Sequence, residues 1–314
     1  MPLPKPRAGE SRNQFVRRCM IDDTSMSEYP DTQQRYAVCL SLSKDRKEII
    51  KQAKRKIATN FRKQVMLAEK KNYPIAYNYY LKEFDKASKM FIENPTINNQ
   101  NFNTLFNEIE TKKMYSDMYK QTGLRFAKWY ADTFRKVAKK ELTPSVIEQN
   151  MERYATEKEN YLALVREVSA VSGVAKSTLK KVLAELLADE TFMSLGEEAR
   201  VREIMKRLKF KARWMARRIV RTETTASANF GIQLSASDIY GDDNLVKEWI
   251  ASDGSRTRDT HRTASSQYSN NPIPMNEPYL VGGSKMMFPS DTSLGARAKE
   301  VVNCRCVSIP FIPD

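Results

Sequence analysis

Apolar side chains recur every three or four residues over much of the chain, a spacing that predicts long amphipathic helices. The first stripe runs from residue 43 to about residue 72, and Pro74 fits the start of a second helix, where its missing amide hydrogen costs little. A third long helix is predicted from about Thr104 to Lys140, with Gly123 as a candidate interruption. Residues 43–160 are therefore expected to form a helical framework.

The segment 161–198 has the spacing of two helices joined by a tight turn at Gly173, as in a helix-turn-helix. The second helix would present Lys176, Lys180 and Lys181 to nucleic-acid phosphates, which lysines bind as point charges. A purely structural helical hairpin has the same pattern and is the preferred interpretation. DNA binding through residues 161–221 stays as the alternative.

The most regular amphipathic helix is predicted from Glu197 to Ala226. Its apolar seam alternates steps of four and three residues: Val201, Met205, Leu208, Ala212, Met215, Ile219 and Thr222. The other faces are basic between Lys206 and Arg221, without an intervening acid. The residues expected to contact an acidic partner or nucleic acid are Arg207, Lys211, Arg217 and Arg218.

Residues 1–42 are predicted to form a separate small helical hairpin, broken at Pro30 and restarted by Asp31 as a helix N-cap. Cys19 and Cys39 lie near the ends of its two helices. The N-terminus lacks the apolar segment of a secretory signal, so we expect synthesis in a cytosol that keeps thiols reduced. The two cysteines are accordingly predicted to be small buried apolar side chains.

After residue 226 the apolar runs become short, and glycine, proline, serine and asparagine increase, which favours strands and loops. Candidate strands are Tyr279–Val281, Lys285–Phe288 and Cys306–Ile309, with Gly282-Gly283 as a hairpin turn between the first two. The predicted fold class is α+β, mainly α, with a long-helix N-terminal half and a small mixed α/β C-terminal domain.

The chain carries an excess of positive charge, with a formal net charge of +15 at pH 7. Such an excess favours polyanionic neighbours, either packaged nucleic acid or an acidic protein surface. Attraction to phosphate alone carries no sequence specificity. No apolar run approaches the roughly 20 residues of a membrane-spanning helix, so no membrane partner is expected.

The residues with the chemistry of a metal or catalytic site lie near the C-terminus. His261 is the only histidine, and Cys304 and Cys306 are two residues apart, so that an extended backbone directs both to one side. With Asp253 or Asp259 they could form a zinc site. The C-x-C spacing differs from the C-x₂-C of structural zinc sites, however, and a buried structural network is preferred, with no cofactor expected.

In that network Asp253, Arg256 and Arg258 pin a loop, while His261 is hydrogen-bonded and the cysteines are buried. The sequence contains no phosphate-binding glycine loop, no nucleophile elbow and no HExxH helix, so no catalytic residue is assigned. A metal-dependent hydrolase or nuclease remains the second alternative function.

Four motifs follow one another in order over the last third of the chain. They are Arg221-Thr222-Glu223, Trp249 to Asp253, Arg256 to His261 with Arg258 inside it, and Asn303-Cys304-Arg305-Cys306. In this order they resemble the C-terminal domain of the phage head morphogenesis family, the minor head proteins similar to protein F of phage Mu. The match runs from about Ala199 to Ile312, and it departs from the family at Ser265-Ser266-Gln267 and between Pro272 and Gly283.

The resemblance implies a structural and assembly role at or near the portal vertex of a tailed-phage head. It implies the portal protein, other head proteins and packaged DNA as partners, a location in the virion, and a contribution to DNA packaging or ejection. The expected division of the chain is 1–42, 43–160, 161–198 and 199–314, the last being the head morphogenesis domain.

Overall fold

The computed structural model describes residues 10–42, 46–94, 104–134, 162–252 and 254–313, together with residues 3–5, 7 and 149. It divides the chain into two compact units, Met1–Asn60 and Phe61–Asp314. The finer division at residues 42, 160 and 198 stays a prediction. Much of the segment from 135 to 161, and with it the end of the predicted third helix, lies outside the described residues.

The first unit contains three short helices: α1 (Arg12–Met20), α2 (Asp23–Glu28) and α3 (Thr32–Leu42). The hydroxyl of Ser11 and the side chain of Gln14 form a reciprocal capping box at the start of α1. The predicted N-cap Asp31 accepts the amide of Gln34 at 2.7 Å. The helix α2 between the two predicted helices was not expected.

Cys19 and Cys39 form a disulfide, so the prediction of two independent apolar side chains is wrong. Helices α1 and α3 bring the two Cα atoms to 5.7 Å, within the range that a disulfide spans. Phe15 and Val16 pack beside the bridge in a small core. The prediction failed because it assumed that a reducing cytosol keeps the thiols apart, and because the sequence alone does not show how close the two cysteines lie.

The long helix α4 (Arg46–Glu93) is continuous through Pro74, and the predicted break before this proline is wrong. A proline inside a helix removes one hydrogen bond and costs roughly 3 kcal/mol. Packing on both sides offsets that cost: Tyr73 stacks on Tyr77 with ring centroids 5.4 Å apart, and Tyr80 and Phe84 are fully buried. Tertiary burial thus overrides the local preference.

Helix α5 (Glu108–Phe134) runs straight through Gly123, which does not interrupt it. Helix α6 (Leu162–Leu187) is likewise continuous through Gly173, so the turn predicted there is wrong, both for the preferred structural hairpin and for a helix-turn-helix. Glycine permits a left-handed turn but does not require it. The buried residues of α6 instead keep one helical stripe: Ala175, Leu179, Val182, Leu183 and Leu186. A single-turn helix, α7 (Glu190–Met193), follows.

Helix α8 (Glu197–Tyr240) is longer than predicted and forms the axis of the second unit. Its predicted seam is buried at Leu208, Ala212, Met215 and Ile219. Helix α8 packs closely against α5 at Gly231, where a Cβ would overlap the carbonyl oxygen of Gly123. The small residues therefore allow two helix backbones to approach each other directly.

A buried asparagine joins three of these helices. The Asn72 amide of α4 donates to Thr122 of α5 at 2.8 Å and to Thr224 of α8 at 2.9 Å. Asn72 is 1% exposed, and an unpaired amide there would be costly. The pattern of apolar residues contains no sign of this connection.

The C-terminal region adds two small antiparallel sheets after a 3-10 turn (Asp242–Asn244). The three-stranded sheet has the order β2 (Ile273–Pro274), β1 (Val246–Ile250), β5 (Val307–Phe311). The second sheet is the hairpin of β3 (Tyr279–Val281) and β4 (Ser284–Met286). Helices α9 (Asp259–Asn270) and α10 (Ala298–Val301) complete the region.

The hairpin confirms the prediction for Gly282-Gly283, which have φ of 56° and 76°. In β1 both Lys247 and Trp249 are buried, and this strand was not predicted. The expected fold class is confirmed, since long helices dominate and a few strands lie near the C-terminus. None of the described helices is long and apolar enough to span a membrane.

Candidate functional site

His261 lies in the first turn of α9 and is 1% exposed. Its ring is nearly perpendicular to that of Trp249 in β1, with centroids 5.5 Å apart. The Arg258 guanidinium, just before α9, donates to the carbonyl of Val302. This bond ties the start of α9 to the chain segment that carries the cysteines.

The Asn303 turn directs the two cysteines inward. Asn303 has a φ of 59°, a conformation that asparagine tolerates better than most residues, and its backbone N–H donates to the Thr222 hydroxyl at 3.1 Å. The side chain of Asn229 in α8 holds the following segment. Its Nδ2 donates to the Cys306 carbonyl at 3.2 Å, and its Oδ1 accepts the backbone N–H of Ser308 at 2.8 Å. Both sulfurs are consequently buried beside α9.

The three side chains meet at one point, where Nδ1 of His261 is 3.3 Å from Cys306 Sγ and 3.6 Å from Cys304 Sγ. All three donor atoms lie within 4.8 Å of one another. The sequence prediction that the two cysteines face the same side is therefore confirmed. Asp253, one of the two suggested carboxylate ligands, lies outside the described residues, and Asp259 is exposed.

The environment changes the acidity of the two thiols in opposite directions. Burial acts to raise the pKa of Cys304, but hydrogen bonds with Cys306 and His261 and the imidazolium charge lower it well below its usual value. Burial, reinforced by the negative charge of Cys304, raises the pKa of Cys306. The pocket thus favours one thiolate beside the imidazole.

On the far side of the imidazole, Nε2 of His261 is 3.2 Å from the Glu300 carboxylate. That separation is within ion-pair range, but the alignment does not make a hydrogen bond, and Nε2 has no hydrogen-bond partner. The Thr260 hydroxyl donates to the same carboxylate oxygen at 2.8 Å. Glu300 is 2% exposed, and Gly282 leaves the space that it occupies, since a Cβ there would overlap the carboxylate.

The Arg221-Thr222-Glu223 motif links α8 to its neighbours. Thr222 contacts Asn303 as described, and Glu223 accepts a hydrogen bond from the Tyr119 hydroxyl. Burial, then the charges of other arginines, lowers the pKa of Arg221. The arginines around it are Arg305, Arg256 and Arg217.

One carboxylate offsets part of this arginine cluster. Arg305 donates to both oxygens of Glu69 at 2.9 and 2.7 Å. Burial nevertheless raises the pKa of Glu69, against the opposing effects of Arg305 and Arg221. The Nε atoms of Arg221 and Arg305 are buried without a hydrogen-bond partner. The cluster is therefore a concentration of positive charge at the middle of α8.

A row of exposed side chains lies on α8 just before this cluster. Exposed basic and aromatic side chains recur at steps of three and four and so share one face of the helix. We call this face the basic–aromatic stripe, and its members are Lys206, Phe210, Arg213, Trp214, Arg217 and Arg218. Phe210 is 70% exposed and Trp214 53%, and the Arg218 guanidinium lies 5.4 Å from the Trp214 ring centroid.

The predicted contact residues fall into different surroundings. Arg217, Arg218 and Lys211 are exposed on α8, whereas Arg207 is half-buried and lies 3.4 Å from Glu203 and 3.9 Å from Asp189. On α6, Lys181 is exposed while Lys176 and Lys180 are half-buried. Arg256 is exposed near Arg221, and the charge network predicted between it and Asp253 stays a prediction, because Asp253 lies outside the described residues.

Sequence reasoning missed three residues that organise the site. Asn229 connects α8 to the cysteine segment, Glu300 faces the imidazole, and the buried Lys247 donates to the Met287 carbonyl at 2.8 Å. Each is a polar residue whose partner is distant in sequence or on another element. The sequence offered a signal only for Glu300, which lies four residues before Cys304 and so close in sequence to a residue already considered as a ligand.

Comparisons with protein-family models, curated proteins and solved structures found no match.

Proposed function

We propose that this chain is a minor head protein of a tailed bacteriophage, with a structural and assembly role at or near the portal vertex. The starting point is the resemblance of its ordered C-terminal motifs to the head morphogenesis family. The proposal includes synthesis in the host cytoplasm, a final location in the virion head, and the portal protein and other head proteins as partners. It also includes a contribution to DNA packaging or ejection.

The observation that carries the proposal is the convergence of motif residues that are far apart in the sequence. Thr222 hydrogen-bonds the amide of Asn303, Arg258 hydrogen-bonds the carbonyl of Val302, and His261 contacts Cys306. These contacts lie inside the packed region, so the motif residues stabilise the fold of this region. Motif residues that stabilise a fold are what we expect of a protein with a binding or assembly role.

The alternatives receive less support. A hydrolase using His261 and the cysteines would need a substrate to reach donors that are at most 2% exposed. A sequence-reading regulator would need a recognition helix, and the segment suggested for one is part of the continuous helix α6. The exposed cations on α8 instead suit a surface that is attracted to acidic partners.

The basic–aromatic stripe is the surface that we assign to a partner. Exposed tryptophan and arginine are the side chains that most often dominate the binding energy of protein interfaces. The Arg218 guanidinium beside Trp214 gives this surface both charge and apolar area. An acidic face of the portal protein would complement it, and packaged DNA would be attracted without sequence preference.

Reversing charge at the centre of the stripe tests the partner assignment. The double variant Arg217→Glu/Arg218→Glu should lose co-purification with the portal protein while its helical circular dichroism is unchanged, because both side chains are exposed. The matched control is Lys113→Glu/Lys285→Glu, which makes the same charge change at exposed positions off the stripe and should co-purify normally. Equal co-purification of both variants would refute the assignment.

Mass spectrometry of purified virions and proheads tests the wider proposal. A minor head protein should be found in both particles at a low, fixed number of copies relative to the major capsid protein. Its absence from both would reject the structural role and leave a regulatory one.

A further inference from the structure

We infer that His261, Cys304 and Cys306 bind a zinc ion. The three donor atoms come from two separate parts of the chain, the first turn of α9 and the segment before β5, and are all buried. Their meeting within 4.8 Å is independent of the proposed role in a phage head. Neither proposal therefore depends on the other.

The two nitrogen–sulfur separations are close to the corresponding edges of a zinc coordination tetrahedron, and the two sulfurs lie within 4.8 Å of each other. With Zn–S of about 2.3 Å and Zn–N of about 2.0–2.1 Å, tetrahedral geometry places a sulfur and a nitrogen ligand about 3.6 Å apart. Nδ1 of His261 lies 3.3 Å from Cys306 Sγ and 3.6 Å from Cys304 Sγ. Only small side-chain adjustments would be needed to accommodate the ion.

Hydrogen bonding alone satisfies this cluster poorly. Nδ1 of a neutral imidazole carries either one proton or one lone pair, so it can serve only one of the two sulfurs that approach it. A metal ion on Nδ1 would instead engage both sulfurs and the nitrogen together. Two thiolates and an imidazole are soft and borderline ligands that select zinc over magnesium or calcium.

The surroundings of the imidazole supply the outer contact that metal-bound histidines usually have. Such a histidine directs its other N–H to a carboxylate, which fixes the tautomer and the ring orientation. Glu300 occupies this position, with its carboxylate 3.2 Å from Nε2, and Thr260 holds that carboxylate at 2.8 Å. Metal at Nδ1 would place the proton on Nε2, which faces this carboxylate, and a small rotation of the ring would complete the hydrogen bond that the present alignment does not make.

The ion would lie in apolar surroundings, with ligands that are at most 2% exposed to solvent. Trp249, Ala264 and Val301 belong to the core that contains both cysteines. Among the residues that the structure describes, three side chains would serve as ligands, and the fourth coordination position would take a further ligand or a water molecule. The ion would join α9 to the segment before β5, the two parts of the chain that Arg258 also connects through Val302.

Metal content and cobalt substitution of the purified full chain test the inference. The wild-type protein, prepared with zinc and without chelator, should contain about one zinc per chain by elemental mass spectrometry. Replacement with Co²⁺ should give the near-ultraviolet absorption of cobalt–thiolate bonds and visible bands of a tetrahedral ion. The cobalt measurement uses the wild-type chain and so does not depend on whether variants fold.

The chain offers a matched control for the cysteine variants. Cys304→Ser/Cys306→Ser should lose both zinc and the cobalt–thiolate absorption, whereas Cys19→Ser/Cys39→Ser removes the other cysteine pair and should keep both. Glu300→Gln should retain the site but weaken zinc binding by about 10–100-fold, measured by competition with a chromophoric chelator.

Two results would overturn the inference. One is reduced wild-type protein that takes up neither zinc nor cobalt with thiolate absorption. The other is a Cys304–Cys306 disulfide in freshly purified protein, detected by peptide mass mapping, because oxidised sulfurs do not bind zinc as thiolates.

Discussion

Gly231 of α8 lies against Gly123 of α5 so closely that a Cβ on Gly231 would overlap the Gly123 carbonyl oxygen. The atom in the way is backbone, so it cannot move aside as a flexible side chain would. On the same pair of helices, the Ser227 hydroxyl donates to the Tyr119 carbonyl at 2.9 Å. Close helix packing in the second unit therefore depends on two glycines that are 108 residues apart.

Replacing Gly231 with Ala should destabilise the protein by about 2–3 kcal/mol, within the range for an overpacked core. Chemical denaturation followed by circular dichroism measures the effect. The matched control is Gly173→Ala, in the interior of α6 with nothing within 4 Å of the added Cβ. That change should stabilise by about 0.5–1 kcal/mol because alanine favours the helix. Similar effects from both changes would contradict the close approach.

Lys247 should make stability depend on pH in alkaline solution. Burial lowers its pKa from 10.5 to about 8, against the opposing effects of Asp291, Glu277 and Asp242. Between these values the unfolded chain binds the proton that the folded chain releases, so rising pH favours folding. Below pH 8 the charged lysine costs about 3 kcal/mol, since one unit corresponds to about 1.4 kcal/mol.

The variant Lys247→Met isolates this effect, because it retains the buried stem and removes the charge. It should exceed the wild type in stability at pH 7, and the difference should shrink between pH 8 and pH 10.5. Urea denaturation of both proteins across this range is the measurement. A constant difference across the range would show that Lys247 does not titrate there.

Reduction of the Cys19–Cys39 disulfide should loosen the first three helices. Closing a loop with a sequence separation of 20 stabilises by about 3 kcal/mol in the chain-entropy model. In Cys19→Ser/Cys39→Ser, amide hydrogens of residues 12–42 should exchange faster, whereas those of β1 and β5 should not. Hydrogen exchange with mass spectrometry resolves the two regions. Unchanged exchange in residues 12–42 would mean that packing alone holds α1 to α3.

Any DNA binding by the basic–aromatic stripe should be indifferent to sequence and sensitive to salt. Its four cations are Lys206, Arg213, Arg217 and Arg218. If all four neutralise phosphates, affinity should fall by about 100-fold between 50 and 200 mM salt. Titrations against a random duplex and, under the proposed function, DNA of the source phage at both concentrations measure this. A preference for one duplex that survives at 200 mM would favour the DNA-binding alternative.

The apolar pattern predicted the elements of this fold better than their ends. It identified the α8 seam and the Gly282-Gly283 hairpin, since both are local properties of the sequence. It failed at Pro74 and Gly173, where a residue that ends many helices lies inside one. Burial of the neighbouring side chains decides those positions, and the partners that provide it come from other helices.

The sequence predicted which residues could form the candidate site, but not how they are placed relative to one another. His261, Cys304 and Cys306 attract attention by residue type, and a two-residue spacing predicts that the cysteines share a side. The placement of Glu300 behind the imidazole depends on α10 and on the space left by Gly282. Such contacts between separate elements leave no periodic trace along the chain.

The two pairs of cysteines need opposite redox conditions, since one pair is a disulfide and the other is two free thiols. A reductant added to protect the thiols of Cys304 and Cys306 will also act on the Cys19–Cys39 bridge, while an oxidant that preserves the bridge threatens the thiols. Both Cys304 and Cys306 are almost completely buried, which slows their attack by reagents in solution. Purification in air without added thiol, with brief handling, is therefore the regime in which one sample keeps both pairs as the structure has them. Batches prepared otherwise would differ in covalent structure while sharing one sequence.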